Sequence, residues 1–447
     1  MRLAPPVPIN SIELLEPRRL LAGVTILTHG YLGNVTGWVA KMADDIAARA
    51  GGGTDVTTYT MKVGEDSNQH LAVLSIVRDR GTSGYKTTST GESIIKLDWS
   101  SVSSGKFSTT QVADVVATWL LAEKADDNVP RFVELPIHLI GHSRGASLMS
   151  ALSQDLGRAG IWIDQQTNLD AHPVDGHADL GANFGDAPMR TYDNVIFSDS
   201  YWRSDGDPNN DDPDGESVAG SHDVALNNSV QKKFAGLAHR SVPSYYDGTI
   251  DTKTTDGGDT PIFNAWYGTG GDKPARDQTG YVFSRLVGGA RPADGLWPAG
   301  GGSGAREPVG ENGKQWANVT DVRVLGSRTI EPGRTIKVRL MRSDRDSNQN
   351  VLLFLDRDTN PYNDNFVRTL RRTNVASTSN PIANRSTGST SGAPTGTYWV
   401  CARITDSAGH MRFSYSKSLQ IIAPAQHALT HAFSMQPMDR QDIHDLV

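Results

Sequence analysis

Short apolar runs alternate with stretches of helical spacing through the first two thirds of the chain. Val24–Thr28, Thr54–Met61 and Ser93–Trp99 each have the length and the β-branched or apolar residues of a strand. Between them, Gly37–Ala50 repeats apolar residues at the spacing of an amphipathic helix, and Thr109–Lys124 does so after the third strand. Further apolar segments follow at Pro136–Ile140, Ile161–Ile163, Thr167–Asp170 and Asn194–Asp199. Strands that alternate with helices predict an α/β fold, a mostly parallel sheet with helices on both faces.

The pattern changes after residue 287. Residues 288–316 are rich in glycine and have little apolar periodicity, which predicts a linker. Beyond it, strand-like runs are separated by turn signals, with no helical spacing between them, and they predict a small all-β sandwich. The predicted organisation is an N-terminal segment 1–22, a catalytic domain 23–287, a linker 288–316, a sandwich 317–423 and a tail 424–447.

Composition narrows the class of protein. A net charge of −7 argues against a nucleic-acid partner, which normally requires a basic face. No apolar run approaches the roughly 18 residues of a transmembrane segment. Cys401 is the single cysteine, so an internal disulfide is excluded. The sequence leaves the oligomeric state open.

A nucleophile elbow is the strongest chemical signal in the chain. Gly141-His142-Ser143-Arg144-Gly145 matches G-x-S-x-G between a strand-like run and a stretch of helical spacing. In such an elbow the serine takes a strained backbone conformation, and the helix N-terminus points free N–H groups at an oxyanion formed on it. The context therefore predicts that Ser143 is a catalytic nucleophile.

A serine nucleophile needs a histidine to take its proton and a carboxylate to orient that histidine. In elbow enzymes the chain order is Ser, acid, His, with each residue near the carboxyl end of a strand. Asp170 and Asp199 are both candidates for the acid, since each follows or ends a strand-like run. The downstream candidates for the base are His172, His177, His222 and His239.

Several ordered motifs between residues 24 and 250 resemble the pancreatic-lipase family of α/β-hydrolases. They are His29-Gly30-Tyr31 for the turn after the oxyanion-hole strand, Ile95–Trp99 for the V-D-W strand, Gly141–Ala146 for the elbow, Leu169–Ala171 for L-D-P-A, Val195–Asp199 for V-I-H-T-D, and Ala238–Ser241 with Tyr245-Tyr246 for N-H-L-R-S…Y-Y. The resemblance implies Ser143 as nucleophile, Asp170 as acid and His239 as base. It also implies that the backbone N–H groups of Tyr31 and Arg144 form the oxyanion hole.

The chain departs from that family in ways that bear on the substrate. Arg144 replaces the usual leucine, Ala171 replaces the proline, and the family's disulfides are missing. Residues 200–236 stand where the family carries its lid. The pattern Asp205-x-Asp207-x-Asn209 within them is also compatible with calcium, although the chemistry requires no cofactor.

The N-terminal segment resembles the LEPR-x-LL stretch of exported planctomycete proteins at Leu15–Leu21. That resemblance implies an extracellular or cell-surface location, while the missing standard signal peptide leaves a cytoplasmic one open.

The sequence as a whole predicts a lipase or carboxylesterase that forms an acyl-enzyme on an ester or lipid substrate, at a lipid surface in the case of a lipase. Two alternatives remain: a phospholipase A1 or polyester hydrolase that uses the same residues, and a catalytically inert surface-attachment protein. Because each proposed catalytic residue precedes the linker, the sandwich is expected to be dispensable for chemistry.

Overall fold

A computed structural model describes residues 23–51, 56–81, 92–122, 131–176, 182–204, 213–227, 230, 238–268, 273–292, 306–310 and 314–424. Its α-helices are α1 (Trp38–Arg49), α2 (Thr109–Leu121), α3 (Arg144–Arg158) and α4 (Ala238–Ile250). The strands of the first half are β1 (Val24–Thr28), β2 (Val56–Glu65), β3 (Leu71–Arg80), β4 (Glu92–Asp98), β5 (Ile137–His142), β6 (Ile163–Leu169), β7 (Val195–Trp202) and β8 (His222–Ala225). The strands of the second half are β9 (Asn318–Leu325), β10 (Thr329–Ile330), β11 (Thr335–Asp344), β12 (Gln349–Asp356), β13 (Arg368–Val375), β14 (Thr378–Ser389), β15 (Gly396–Thr405), β16 (Met411–Tyr415) and β17 (Leu419–Ile421).

The first eight strands form one sheet in the order β3-β2-β4-β1-β5-β6-β7-β8. Seven of them run parallel, and β3 pairs antiparallel with β2 at the edge. The carboxyl ends of β1, β5, β6 and β7 therefore lie side by side. Residues that directly follow these strands are brought together at one edge of the sheet.

Two buried clusters lie on opposite faces of this sheet. Alternate residues of the central strands point to different faces, as the strand period of two requires: Ile26 belongs to one cluster and Leu27 to the other. Helices α2 and α3 pack against the first cluster through residues such as Val112 and Leu148. Helices α1 and α4 contribute to the second, for example through Met42 and Tyr245.

The predicted fold class, an α/β-hydrolase with a small sandwich appended, is wrong for this chain. The described residues are 38% strand and 19% helix, with four α-helices and three sheets, so the protein is mostly β. Two things shift the balance. A hairpin of two ten-residue strands, β2 and β3, occupies the edge of the first sheet, and nine strands without an intervening α-helix make up the described second half.

The strands of the second half form two further sheets. One has the order β10-β17-β15-β12-β13, with β16 beside β15, and the other has the order β14-β11-β9. Their shared buried cluster includes Val338, Leu353 and Val400. The outer residues of β12, β15 and β16, among them Phe354, Cys401 and Phe413, instead belong to the cluster that also contains Val133 and Ile161.

Polar contacts reinforce this junction between the two halves. Arg412 on β16 is buried and donates hydrogen bonds to the carbonyl oxygens of Val133 (2.7 Å) and Leu135 (3.3 Å). The Tyr362 hydroxyl donates to Glu134 over 2.6 Å. The expectation that the sandwich is dispensable does not take this shared apolar surface into account. Removal of the sandwich would expose the apolar surface of the first half to water.

The predicted linker also contacts the first half where it is described. Glu307 pairs with residues 191–193, since its N–H donates to the Thr191 carbonyl and its carbonyl accepts from the Asp193 N–H. Val309 is buried, and the Trp316 N–H donates to the Ala159 carbonyl. These described residues follow the surface of the first half and are fixed to it by backbone hydrogen bonds.

Candidate active site

Ser143 occupies a strained turn between β5 and α3. Its backbone angles are φ 56° and ψ −129°, in the left-handed half of conformational space, which costs a non-glycine residue about 1–3 kcal/mol. A side chain on Gly145 would collide with the carbonyl of His29, so the start of α3 passes directly against the end of β1. The Ser143 N–H donates to the Leu169 carbonyl over 2.9 Å. That bond ties the turn to the end of β6.

The His29-Gly30-Tyr31 turn lies against Ser143 on the other side. A Cβ atom at Gly30 would lie only 2.6 Å from the Ser143 Cβ, so this close approach requires glycine. His29 is buried beneath the turn, stacks on Trp99 and accepts a hydrogen bond from the Trp99 indole N–H at its carbonyl (3.0 Å). The turn thus brings Gly30 against the serine, and Tyr31, for which the family resemblance implies an oxyanion donor, is the next residue.

Asp170 follows β6 directly and contacts His239. The Nδ1 atom of His239 lies 2.7 Å from Oδ2 of Asp170, which is fully buried. A carboxylate accepts hydrogen bonds, so Nδ1 carries the proton and Nε2 of the neutral ring keeps its lone pair. The base is thereby held in the tautomer that accepts a proton at Nε2.

His239 stands in the first turn of α4, and its own backbone is held by a neighbouring histidine. Pro243 has no N–H, so the His239 carbonyl, four residues earlier, receives no helical hydrogen bond from it. Nε2–H of His142 donates to this carbonyl instead, over 3.0 Å. The two imidazole rings lie 4.4 Å apart between centroids. A proline within the helix thus frees the acceptor that connects β5 to α4.

Asp199, the alternative acid, is located in the interior of β7 because that strand continues to Trp202. Its carboxylate accepts hydrogen bonds from Thr167 Oγ1 (2.7 Å), Gln165 Nε2 (3.1 Å) and the Tyr201 hydroxyl (3.1 Å). Burial raises the pKa of Asp199 to about 6. The structure brings Asp170, and not Asp199, to the imidazole of His239 at hydrogen-bond distance.

Arg203 contacts the same carboxylate as His239 and belongs to none of the sequence motifs. The backbone N–H of Arg203 donates to Asp170 Oδ1 over 2.9 Å, and the side-chain Nε lies 3.3 Å from Asp170 Oδ2. The guanidinium is fully buried. One signal was present in the sequence: Arg203 is the single basic residue among eight acidic ones between Asp199 and Asp223.

The environment of His239 opposes a positive charge on its ring. Burial is the largest cause that holds the pKa of His239 well below its ordinary value, and the neighbouring Arg203 is the next. His172 and Arg240 act in the same direction, whereas Asp214 opposes them. His142 also has a lowered pKa, because of burial and then the adjacent His239. Both imidazoles at the candidate site are neutral at neutral pH.

The side chain of Arg144 braces the start of α3. It is fully buried and forms a two-pronged ion pair with Asp186, through Nε (2.6 Å) and Nη2 (2.8 Å). Nη1 and Nη2 also donate to the carbonyls of Ser103 and Phe107. The family resemblance implies a role for the Arg144 N–H alone, and the side chain's partner Asp186 lies 42 residues away in the chain. The brace fixes the position of that N–H beside Ser143.

The remaining candidates lie elsewhere or outside the described residues. The calcium candidates Asp205, Asp207 and Asn209, and the histidine His177, lie outside them. Among the described residues no group of three His, Cys, Asp or Glu side chains is placed to hold a metal ion. Of the segment 200–236, which stands where the family carries its lid, residues 200–202 belong to β7 and residues 222–225 form the strand β8. His172 is buried near His239, with 6.3 Å between the ring centroids.

None of the helices in the described part of the chain combines the length and the apolar character needed to cross a membrane.

Comparison with known proteins adds little to this geometry. No family model matches the sequence, and no curated protein matches it either. Among solved structures, the chain has a likeness to the CARDB domain of the PF1109 protein from Pyrococcus furiosus, in complex with di-metal ions. The identity is 7%, the match covers 24% of this chain and 96% of that one, and the TM-score is 0.17. A likeness that weak carries no conclusion about fold or function.

Proposed function

We propose that this protein is a serine hydrolase of carboxylic esters, a lipase or carboxylesterase, with Ser143 as nucleophile, His239 as base and Asp170 as the orienting acid. The observation that carries the proposal is the 2.7 Å contact of His239 Nδ1 with Asp170, together with the elbow conformation of Ser143, whose chain neighbour His142 bonds to the His239 carbonyl. The ordered motifs that resemble the pancreatic-lipase family support the same assignment.

The chemistry proceeds in two halves. Ser143 Oγ attacks the ester carbonyl while His239 Nε2 takes the hydroxyl proton, and the C–O bond to the alcohol then breaks as His239 returns that proton to the leaving oxygen. Water attacks the resulting acyl-enzyme by the same proton transfers, which releases the acid and regenerates Ser143. The oxyanion formed in each half accepts hydrogen bonds from the N–H groups of Tyr31 and Arg144. Side chains and water suffice for every step.

The exposed apolar side chains near Ser143 favour a substrate with an apolar acyl group. Tyr31 and Leu32 directly follow Gly30, which packs against Ser143, and both are exposed large hydrophobic residues, with Leu32 68% exposed. Exposed apolar side chains next to a reactive centre suit contact with an acyl chain or a lipid surface. The acyl chains of a phospholipid or a polyester present the same bond, so those substrates are alternatives within the proposed chemistry. The resemblance of residues 15–21 to LEPR-x-LL supports an extracellular or cell-surface location for such an enzyme.

The test is hydrolysis of p-nitrophenyl esters from acetate to palmitate, followed by triglyceride, phospholipid and polyester. The wild type should turn over at least one acyl length, and Ser143→Ala should lose about three orders of magnitude or more in kcat. Ser104→Ala is the matched control, because Ser104 is an exposed serine on the loop after Trp99 and should retain activity. Inactivity of the folded wild type on the whole series, or full activity of Ser143→Ala, would overturn the proposal in favour of an inert attachment protein or another nucleophile.

A further inference from the structure

The candidate acid Asp170 is shared between two cationic or potentially cationic side chains. His239 Nδ1 approaches Oδ2 at 2.7 Å, and Arg203 Nε approaches the same oxygen at 3.3 Å. The backbone N–H of Arg203 donates to the other oxygen, Oδ1, over 2.9 Å. Orienting His239 requires one contact to the carboxylate, so the second cation needs a separate explanation.

The residues around Arg203 hold its guanidinium in this position. Nη2 donates to the Pro213 carbonyl over 2.9 Å, and Nη1 lies 3.6 Å from Asp214 Oδ1. The Arg203 carbonyl in turn accepts from the Gly215 N–H at 2.9 Å. Both ends of the residue are therefore tied to residues 213–215. Arg203 and Asp170 are both fully buried, and these bonds hold the guanidinium beside the carboxylate.

We propose that Arg203 is a positioning residue for the proposed reaction, which holds Asp170 against His239 and neutralises its charge so that the base stays unprotonated under mildly acidic conditions. The inference rests on the proposed function. It adds to that function a working pH range and the residue that sets it.

The charges in contact with His239 determine how readily its ring is protonated. Asp170 alone beside a histidine stabilises the imidazolium, and in an otherwise neutral site it would raise the pKa of that ring. With Arg203 present the carboxylate is already neutralised, so protonation of His239 leaves a net positive charge in a buried site. The direction agrees with the lowered pKa of His239, for which burial is the largest cause and Arg203 the next.

Asp214 opposes this effect, but its side chain is 27% exposed, so solvent weakens its influence on His239. The charged or titratable residues that face it from the neighbouring elements are Asp170, Arg203, His142, His172, Asp214 and Arg240. His142 is itself neutral, because burial lowers its pKa. Arg240 is exposed, so solvent screens its charge. Arg203 is thus the buried cation in contact with the His239–Asp170 pair.

The test compares the pH dependence of kcat/KM for the wild type, Arg203→Met and Arg203→Lys. The base must be neutral to accept the serine proton, so activity falls as the pH drops through the pKa of His239. In the wild type this fall should lie below pH 6.5, the ordinary histidine value. Arg203→Met removes the charge and should move the fall upward by about one pH unit. Arg203→Lys keeps a charge and should stay nearer the wild type.

A second readout separates this proposal from the proposed function. The pKa of His239 can be followed directly by NMR of histidine-labelled protein, with the resonance assigned through His239→Gln, even if no substrate is turned over. Arg240→Met is the matched control, because it removes an exposed charge near the same ring and should shift the profile by less than about 0.3 unit.

Each outcome decides the question. A lower kcat for Arg203→Met without any shift of the profile would mean that Arg203 is merely structural, and a wild-type His239 pKa at or above 6.5 would also refute the proposal. If Arg203→Met fails to fold, Arg203→Gln carries the same expectation, since its amide can still donate to the Pro213 carbonyl. A shifted NMR titration in a protein that hydrolyses no ester would support the electrostatic role and refute the hydrolase.

Discussion

Asp170 and Asp199 are both fully buried carboxylates near the same edge of the sheet, but their partners differ. Asp170 contacts an imidazole and a guanidinium, both of which favour its ionised form. Asp199 accepts hydrogen bonds from neutral amide and hydroxyl groups, and burial raises its pKa. These surroundings suit an orienting acid in the first case and a structural carboxyl group in the second.

The two positions therefore respond differently to an amide. Asp170→Asn should lower kcat by as much as about 10⁴-fold, because the amide no longer favours the Nδ1–H tautomer or stabilises the imidazolium. It should also lower Tm, since it removes the fully buried counter-charge of Arg203 and leaves only the more distant, partly exposed Asp214. Asp199→Asn can keep most of its hydrogen bonds and should cost less than about tenfold in kcat. Steady-state kinetics on folded variants checks both, and the reverse ranking would make Asp199 the acid.

The sequence motifs indicate the candidate triad residues, but they do not indicate that Arg144 and Arg203 are buried beside them. Ser143 and Asp170 are marked by local patterns, a glycine-flanked turn and a position directly after a strand, and these patterns follow from backbone geometry. Arg144 and Arg203 are polar residues that normally remain exposed. Their burial depends on Asp186 and Asp170, which are distant in the chain. Only the folded structure brings these charges together.

At the scale of the elements, the sequence indicates that a strand is present more reliably than where the strand ends. The apolar core of β7 was evident, but its continuation through Ser200, Tyr201 and Trp202 was not, and Asp199 was therefore assigned to a strand end. The hairpin partner β3 was missed altogether. Its run Leu71–Arg80 mixes apolar and charged residues without a clean period, and its pairing with β2 along one edge defines it as a strand.

The α4 helix shows how local signals can mislead at this scale. Proline within a helix usually predicts an end or a kink, because it lacks a donor for the carbonyl four residues back. Here that carbonyl belongs to His239 and accepts from His142 instead, so the helix extends from Ala238 to Ile250. The donor comes from the end of β5, a tertiary contact that spacing along the chain does not encode.

At the scale of the whole molecule, the two halves share a buried surface. The sequence predicts a glycine-rich boundary followed by strands without helical spacing, and the described second half consists of strands β9 to β17. It could not indicate that the outer faces of β12, β15 and β16 complete an apolar cluster of the first half. Alternating patterns show that a strand has two different faces, but they do not show what covers each face.

A substitution at Arg412 tests how much this junction stabilises the fold. Arg412→Met should lower the free energy of unfolding by about 2–3 kcal/mol, because it leaves the buried carbonyls of Val133 and Leu135 without donors. Arg372→Ala, a change at an exposed arginine on β13, should leave Tm nearly unchanged. Thermal unfolding of both variants checks this. Equal Tm values for Arg412→Met and the wild type would show that these contacts do not stabilise the fold and would support the expectation that the sandwich is dispensable for chemistry.

Covalent labelling of Ser143 tests the central claim most directly, because it reports an activated nucleophile whatever the natural substrate is. The folded wild type is treated with a fluorophosphonate, and the modified peptide is identified by mass spectrometry. We predict one adduct per chain on Ser143, no adduct in Ser143→Ala, and much slower labelling in His239→Gln, which lacks the base. A folded wild type that takes up no label, or that carries it on a residue other than Ser143, would contradict the account.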